Sequence, residues 1–385
     1  MSKRKICAVV TARPSYSRIK TALVAIREHP ELELQLVIAA SALLDRYGTV
    51  IKQIEADGFE IDAKVYMVLE GDTPMSMPKT TGLGMIELAT VFDRLRPDAV
   101  VTVADRFETL ATATAAAYMN IPLVHVQGGE ISGSIDEKVR HAITKLADVH
   151  MTSTELARSY VIRMGERPET VFATGCPSVD LAAEVLRRPD LDFDPAQKYG
   201  GVGARLDLAG GYLVVMQHPV TTEFSTARAH VEETLAAVTS LDLPALWFWP
   251  NVDAGSDGTS EGIRAFREKN TSAPFHFFKN MAPDDFLRLL INSRGIVGNS
   301  SVAIRECAYL GVPAVNIGSR QGGRERGRNV IDVGYDCAEI AAATDKQAAQ
   351  RRIESDELYG DGRAGSRIAD LVAAVPLTVE KRLAY

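Results

Sequence analysis

Short apolar runs rich in β-branched residues alternate along this chain with longer segments in which apolar and polar residues mix at helical spacing. Runs of the first kind are Ile6–Val10, Leu34–Ala39, Ala99–Val103, Leu123–Val126, Val149–Ser153 and Val171–Ala173. A second set is Tyr212–Met216, Ala245–Trp249, Phe275–Phe278, Gly295–Val297 and Ala314–Ile317. A strand that is apolar throughout, and not at every second residue, is buried on both faces, as in a parallel sheet covered by helices. The repeated βα rhythm therefore predicts an α/β, doubly wound fold.

The rhythm breaks once, between Arg187 and Gly211. That stretch contains Arg187-Arg188-Pro189, Asp194-Pro195, Gly200-Gly201 and Gly210-Gly211, the Pro/Gly-rich, polar composition of a linker. Residues 1–186 and 212–364 then make two Rossmann-like parallel-sheet domains joined by linker 187–211, with a ligand expected in the interdomain cleft. The length of 385 residues agrees, being too great for one typical core.

Composition narrows the classes. Hydrophobic residues at 46% and charged residues at 24% are ordinary for a soluble globular protein. A net charge of −7 leaves no basic excess to neutralise a nucleic-acid backbone, so no nucleic-acid partner is expected. A small anion needs only a local cluster of donors. Cys7, Cys176, Cys307 and Cys337 are scattered without CxxC spacing, which fits reduced cytosolic thiols better than zinc or disulfides. The basic start is followed by an apolar run too short for a signal peptide. No apolar stretch approaches the ~20 residues that span a bilayer. A cytoplasmic protein with no membrane partner is expected.

Chemistry concentrates between Asp105 and His141. Asp105-Arg106-Phe107-Glu108, Gln127-Gly128-Gly129-Glu130, Ile135-Asp136-Glu137 and Arg140-His141 fall just after strand-like runs or at the start of a helix-like run. Open α/β sheets carry their active sites at the carboxyl ends of strands. Asp105, Glu130 and Asp136 are the available acid–base carboxylates. Asp136 and Arg140 share a helix face at four-residue spacing and are placed to pair; Arg140 is equally placed to hold a phosphate. The first βα turn, Thr11 to Ser17, lacks GxGxxG, so dinucleotide binding is not supported. Arg13 offers a cation there, with Ser15 or Ser17 as a plain N-cap in the simpler reading.

In the second half, Gly298-Asn299-Ser300-Ser301 lies between a strand and a helix expected over Val302–Leu310, where backbone N–H groups and hydroxyls favour an anion over a simple cap. Glu306 is placed to accept from ribose hydroxyls, or is a solvated helix charge. His218, the Trp249-to-Gly255 segment with Asn251 and Asp253, and Arg320 also follow strands. The second half thus suits a nucleotide diphosphate and the first supplies carboxylates, a division that fits a nucleotide-sugar enzyme. No DxD-type cluster stands out, so neither a metal nor another cofactor is expected.

These residues resemble the UDP-N-acetylglucosamine 2-epimerases, and the hydrolysing branch that forms N-acetylmannosamine for sialic acids most of all. The resemblance spans nearly the whole chain. It rests on Arg13-Pro14-Ser15-Tyr16, Asp105-Arg106-Phe107-Glu108-Thr109-Leu110, Gly128-Gly129-Glu130, Gly133-Ser134-Ile135-Asp136, Arg140-His141-Ala142-Ile143-Thr144-Lys145-Leu146 and Gly175-Cys176-Pro177-Ser178. In the second half it rests on Gln217-His218-Pro219-Val220-Thr221-Thr222, Pro250-Asn251-Val252-Asp253-Ala254-Gly255, Gly298-Asn299-Ser300-Ser301 and Gly318-Ser319-Arg320-Gln321.

The resemblance implies a GT-B-like pair of Rossmann-like domains, with a C-terminal helix over 365–385 crossing back to the first. It implies a metal-independent conversion of UDP-N-acetylglucosamine to N-acetylmannosamine and UDP through 2-acetamidoglucal. Catalytic roles are implied for Asp105, Glu130, Asp136, His218 and Arg140. Contacts to the substrate or its UDP are implied for Arg13, Ser17, Gln127, Asn251, Asp253, Phe277, Gly298, Asn299, Ser300, Ser301, Glu306 and Arg320. A homodimer or homotetramer is implied, with the apolar helix around Leu110 to Met119 as a possible contact. One departure stands out: family members often carry Glu two residues after the strand's His, where this chain has Gln127. Either Glu130 and Asp136 take over proton transfer, or the substrate is a modified sugar of the UDP-diacetylbacillosamine or GDP-linked type. A GT-B glycosyltransferase and a non-catalytic nucleotide-sugar sensor are the readings from other classes.

Overall fold

The computed structural model describes residues 3–44, 50–69, 75–132, 135–250 and 255–384. Contacts divide the chain into two compact units: Met1–Glu130, Ile135–Asp180 and Tyr359–Tyr385 form one, and Ile131–Ser134 with Leu181–Leu358 the other.

The first unit is built on β1 (Arg4–Val10), β2 (Leu32–Ala39), β3 (Ala63–Val65), β4 (Ala99–Val103), β5 (Leu123–Val126), β6 (Val149–Thr152) and β7 (Val171–Ala173). Their order is β3-β2-β1-β4-β5-β6-β7, parallel throughout. Strand β1 shows why such strands are apolar at every position. Ile6, Ala8 and Val10 enter one core with Leu23, Leu36 and Val101, whereas Cys7 and Val9 enter the opposite core with Leu88, Phe92 and Ile143. Both faces are dry, and each large aliphatic side chain so buried contributes roughly 1.5–3 kcal/mol. The chain returns to this unit at its end. Ile368, Ala369 and Val372 of the helix Ala364–Ala374 join the first core. That helix start is fixed by Asp180, whose carboxylate accepts from the Ala364 and Gly365 N–H groups at 2.8 and 2.6 Å.

The second unit carries β8 (Val202–Gly203), β9 (Leu213–Met216), β10 (Ala245–Phe248), β11 (Phe275–Phe278), β12 (Gly295–Gly298), β13 (Ala314–Ile317) and β14 (Val330–Val333). The order is β14-β13-β12-β9-β10-β11-β8, with only β8 antiparallel. Both units are therefore doubly wound α/β folds. Strands β3, β8 and β14 leave little trace in the sequence because each lies at a sheet edge and is short or partly solvated, so a continuous apolar run is not required. The Pro/Gly-rich stretch after Arg187 contains a five-residue helix, Pro195–Tyr199, capped by Asp194, and then edge strand β8. No described helix is long and apolar enough to cross a membrane.

Candidate active site

Strand order reverses between β1 and β4 in the first sheet and between β9 and β12 in the second. At such switch points the loops following adjacent strands diverge to opposite faces and leave a crevice. Most of the expected polar residues follow these strands or their neighbours.

In the first unit the chain leaves β4 through Ala104, whose φ of 61° is left-handed. That turn delivers Asp105, which is 5% exposed. One of its oxygens accepts from Arg140 Nη2; the other lies 3.4 Å from Arg18 Nη1. Arg140 is 1% exposed, and its other terminal nitrogen donates to the Glu130 carbonyl at 2.6 Å. One guanidinium from the helix Ile135–Leu146 thus ties a strand-end carboxylate to the β5 loop. The four-residue spacing from Asp136 does not reveal this tertiary contact, which arises because the helix turns Arg140 towards the strand ends. Arg18, just beyond the helix Arg13–Ser17, has no distinguishing local pattern and escaped the sequence reading.

Glu130 is buried, and its Oε1 accepts from Ser153 Oγ at 2.8 Å, another residue that the pattern did not mark. Asp136 is half-buried in the first turn of its helix. Gln127 sits in a left-handed turn at φ 66°, 1% exposed. Its amide donates to Cys176 Sγ at 3.0 Å, and that sulfur lies 3.0 Å from Ser178 Oγ. Arg13 opens its short helix, and burial pulls its guanidinium pKa below the usual value. Neither Ser15 nor Ser17 caps that helix: the cap is Ala12 in extended conformation, and Ser17 Oγ donates to the Pro14 carbonyl at 3.1 Å.

In the second unit the loops after β9 and β12 are stitched together by one side chain. Asn299 Oδ1 accepts from the His218 N–H at 2.7 Å, and Asn299 Nδ2 donates to the His218 carbonyl at 2.7 Å. Asn299 is 1% exposed and His218 6%. Gly298 has φ +139°, and a Cβ there would run into the Met216 carbonyl on β9, so only glycine fits. The Asn299 carbonyl accepts from Arg320 Nη1 at 3.2 Å and Gln321 Nε2 at 2.9 Å, which brings the loop after β13 to the same place.

The expected helix over Val302–Leu310 is divided. Ser300 caps a 3-10 turn, Ser301–Ala303, through a 3.4 Å contact from the Val302 N–H, and the α-helix proper is Glu306–Leu310. So short a helix has a weak dipole, and hydroxyls with neighbouring guanidiniums are the better anion donors here. Glu306 is half-buried; its Oε2 is buried and has no hydrogen-bond partner among the described residues. Phe277 is 2% exposed and packs against Trp247, Trp249 and Phe275. Asn251 and Asp253 lie outside the described residues, as do Gly133 and Ser134. No group of three or more described His, Cys, Asp or Glu side chains is arranged to hold a metal ion.

The family model described as UDP-N-acetylglucosamine 2-epimerase matches residues 24–373. The chain is 32% identical over 374 residues to the Legionella pneumophila "UDP-N,N'-diacetylbacillosamine 2-epimerase (hydrolyzing)", covering 97% of each. It is 27% identical over 372 residues to a Neisseria meningitidis "UDP-N-acetylglucosamine 2-epimerase", covering 96% of this chain and 95% of that protein. The crystal structure of UDP-GlcNAc 2-epimerase from Neisseria meningitidis bound to UDP-GlcNAc has the same fold, with TM-score 0.80 at 16% identity over 96% of this chain and 99% of that one.

Proposed function

The chain belongs to the UDP-N-acetylglucosamine 2-epimerase family, and on that premise we propose that it is a metal-independent hydrolysing 2-epimerase that converts UDP-N-acetylglucosamine to N-acetylmannosamine and UDP. The observation that carries this reading is the buried Asp105–Arg140–Glu130 cluster of the first unit, in a chain whose 32%-identical relative is named as hydrolysing.

The chemistry explains why carboxylates and anion donors are both needed. The C2 hydrogen of a 2-acetamido sugar has no adjacent carbonyl to acidify it. Its removal is feasible when the C1–O bond breaks with it: the bonding pair leaves with UDP, positive charge develops at C1, and loss of the C2 proton leaves the C1=C2 bond of 2-acetamidoglucal. A proton then returns to C2 from the opposite face, and water adds its oxygen to C1 and gives its second proton to a carboxylate, which restores the acid. Glu130 and Asp136 serve as the two proton-transfer groups. Asp105, held by Arg18 and Arg140, supplies negative charge where C1 becomes cationic. Arg13, His218, Arg320, Ser300 and Ser301 stabilise the departing diphosphate, and Glu306 accepts from the ribose hydroxyls. Gln127 cannot take up a proton, and its amide is engaged by Cys176 Sγ.

The Legionella relative favours a second substrate, UDP-N,N'-diacetylbacillosamine, for the same reaction. Incubation with each sugar nucleotide, read by NMR, tests both. Release of UDP and a free 2-epimer identifies the substrate, and deuterium at C2 in deuterated water supports the elimination. Intact sugar nucleotide in both cases sinks the proposal.

A further inference from the structure

One buried histidine has no task in the chemistry above. His125 lies in β5 and is 0% exposed. Its Nε2 is 2.9 Å from the Ala104 carbonyl oxygen and its Nδ1 is 3.2 Å from Thr144 Oγ1. Both contacts lead to the Asp105–Arg140 pair. Ala104 immediately precedes Asp105, and its left-handed φ of 61° is a conformation that a non-glycine residue adopts only at a cost. Thr144 is one helical turn after Arg140, and its hydroxyl is within donating distance of the Arg140 carbonyl at 3.0 Å. The β5 loop closes over this contact at Gly128, where a Cβ would stand 3.0 Å from His125 Nδ1 and 3.1 Å from Thr144 Oγ1.

The Ala104 carbonyl can only accept, which assigns the ring hydrogen to Nε2 and leaves Nδ1 an acceptor; the single hydrogen of the Thr144 hydroxyl is then shared between Nδ1 and the Arg140 carbonyl, both within its reach. Burial pushes the ring pKa down to about 3, with His150 and Arg140 acting in the same sense and the Ala104 carbonyl and Asp105 against it. A neutral, fully enclosed ring with both nitrogens turned to protein groups is badly placed to exchange protons with a substrate. It is well placed to hold two elements in register.

We propose that His125 is a positioning residue: as a neutral Nε2–H imidazole it clamps the left-handed turn at Ala104 to the helix turn at Thr144 and so fixes how Asp105 meets Arg140. The proposal rests on the reading that Asp105 serves turnover. It separates His125 from His218, which follows β9 in the other unit and is there assigned to the leaving group.

Two variants and one spectrum test it. His125→Phe keeps an aromatic ring, somewhat larger, and removes both polar contacts, and His125→Gln keeps a donor for the Ala104 carbonyl. UDP release by His125→Phe is expected to fall by about 100-fold in kcat, with KM and UDP affinity within about twofold, because misplacement of catalytic groups by an ångström costs on this order. His125→Gln is expected to recover about a tenth of the lost rate or more. In an Asp105→Asn background His125→Phe should cost less than about twofold more, since groups acting as one unit are not additive. An undiminished effect in that background, or loss of a limb from the pH–rate profile of His125→Gln, overturns the proposal.

The activity-independent arm is nitrogen-15 NMR of the native protein. The neutral Nε2–H tautomer of His125 should persist from about pH 8 to about pH 5; a protonated ring or the other tautomer in that range overturns the clamp even if both variants fail to fold. If the native protein hydrolyses no UDP-sugar, the functional reading falls, and the tautomer still decides whether the clamp exists.

Discussion

Replacing Asp105 by Asn keeps the shape of the side chain and removes its charge. The carboxylate faces Arg18 at 3.4 Å and Arg140 at hydrogen-bond distance, and Arg140 is 1% exposed. At that separation and an effective dielectric of about 20, one such pair attracts with about 5 kcal/mol. The amide also spares the desolvation of a carboxylate, and Arg140 keeps its bond to the Glu130 carbonyl. The net loss of stability is therefore about 3 kcal/mol, the low end of the roughly 3–5 kcal/mol for stranding a buried charge. Against a typical domain stability of roughly 5–15 kcal/mol, the variant stays folded. Turnover is expected to fall by roughly 10²–10⁴, the range for a lost acid–base or electrostatic group. UDP affinity should change by less than about threefold, because the proposed diphosphate donors other than Arg13 belong to the second unit. Urea denaturation, NMR-monitored UDP release and calorimetric UDP titration measure the three quantities on one preparation. A loss of UDP affinity as large as the loss of turnover refutes the division of labour, and unchanged stability refutes the account of the buried pair.

Ser301→Ala should weaken UDP binding by about tenfold with little effect on folding, the loss of one hydrogen bond to a charged group; titration of UDP against the variant reads it. Gly298→Ala should destabilise the second unit strongly and abolish UDP binding, because the new methyl meets the Met216 carbonyl; near-native denaturation would contradict this. Glu166 is 3% exposed and accepts from Lys145, Lys381 and His150 at 2.5, 2.7 and 3.1 Å. Burial alone would raise its pKa, but the three partners outweigh it and take the carboxyl from an ordinary 4.5 down to about 2. That shift corresponds to about 3 kcal/mol, or about 2 kcal/mol once the solvated Lys145 end is screened. The folded value is the depressed one, so this stabilisation is full above pH 4.5 and is lost as pH falls towards 2. Glu166→Gln should therefore be less stable than the native protein at neutral pH, with the gap closing in acid; a pH-independent gap would rule the network out.

The α/β class, the repeated βα units and the placing of polar clusters at strand ends were legible in the chain itself. Two-sided burial forces every position of a central strand to be apolar, as at Ile6 to Val10, and the glycine that ends β12, where a Cβ would meet the Met216 carbonyl, announces with the following asparagine and serines where the strand stops. Such signals are local, set by a period of two or about 3.6 residues. Edge strands β3, β8 and β14 escaped because burial on fewer sides relaxes the pattern. Pairing was not legible. Arg18 meets Asp105, Gln127 meets Cys176 and Asn299 meets His218 across 87, 49 and 81 residues. Which strand ends become neighbours depends on the order in which strands are laid beside one another, and composition at a single turn carries no record of that order. The same holds for Phe277, for which the resemblance implies a contact to the substrate or its UDP and whose ring is buried among Trp247, Trp249 and Phe275. The amino-acid pattern alone determined two layered sheets with reactive groups at their carboxyl edges. Only the tertiary structure decided that Arg140 and Arg18 would close on Asp105, because that contact exists only once β1, β4 and β5 lie side by side.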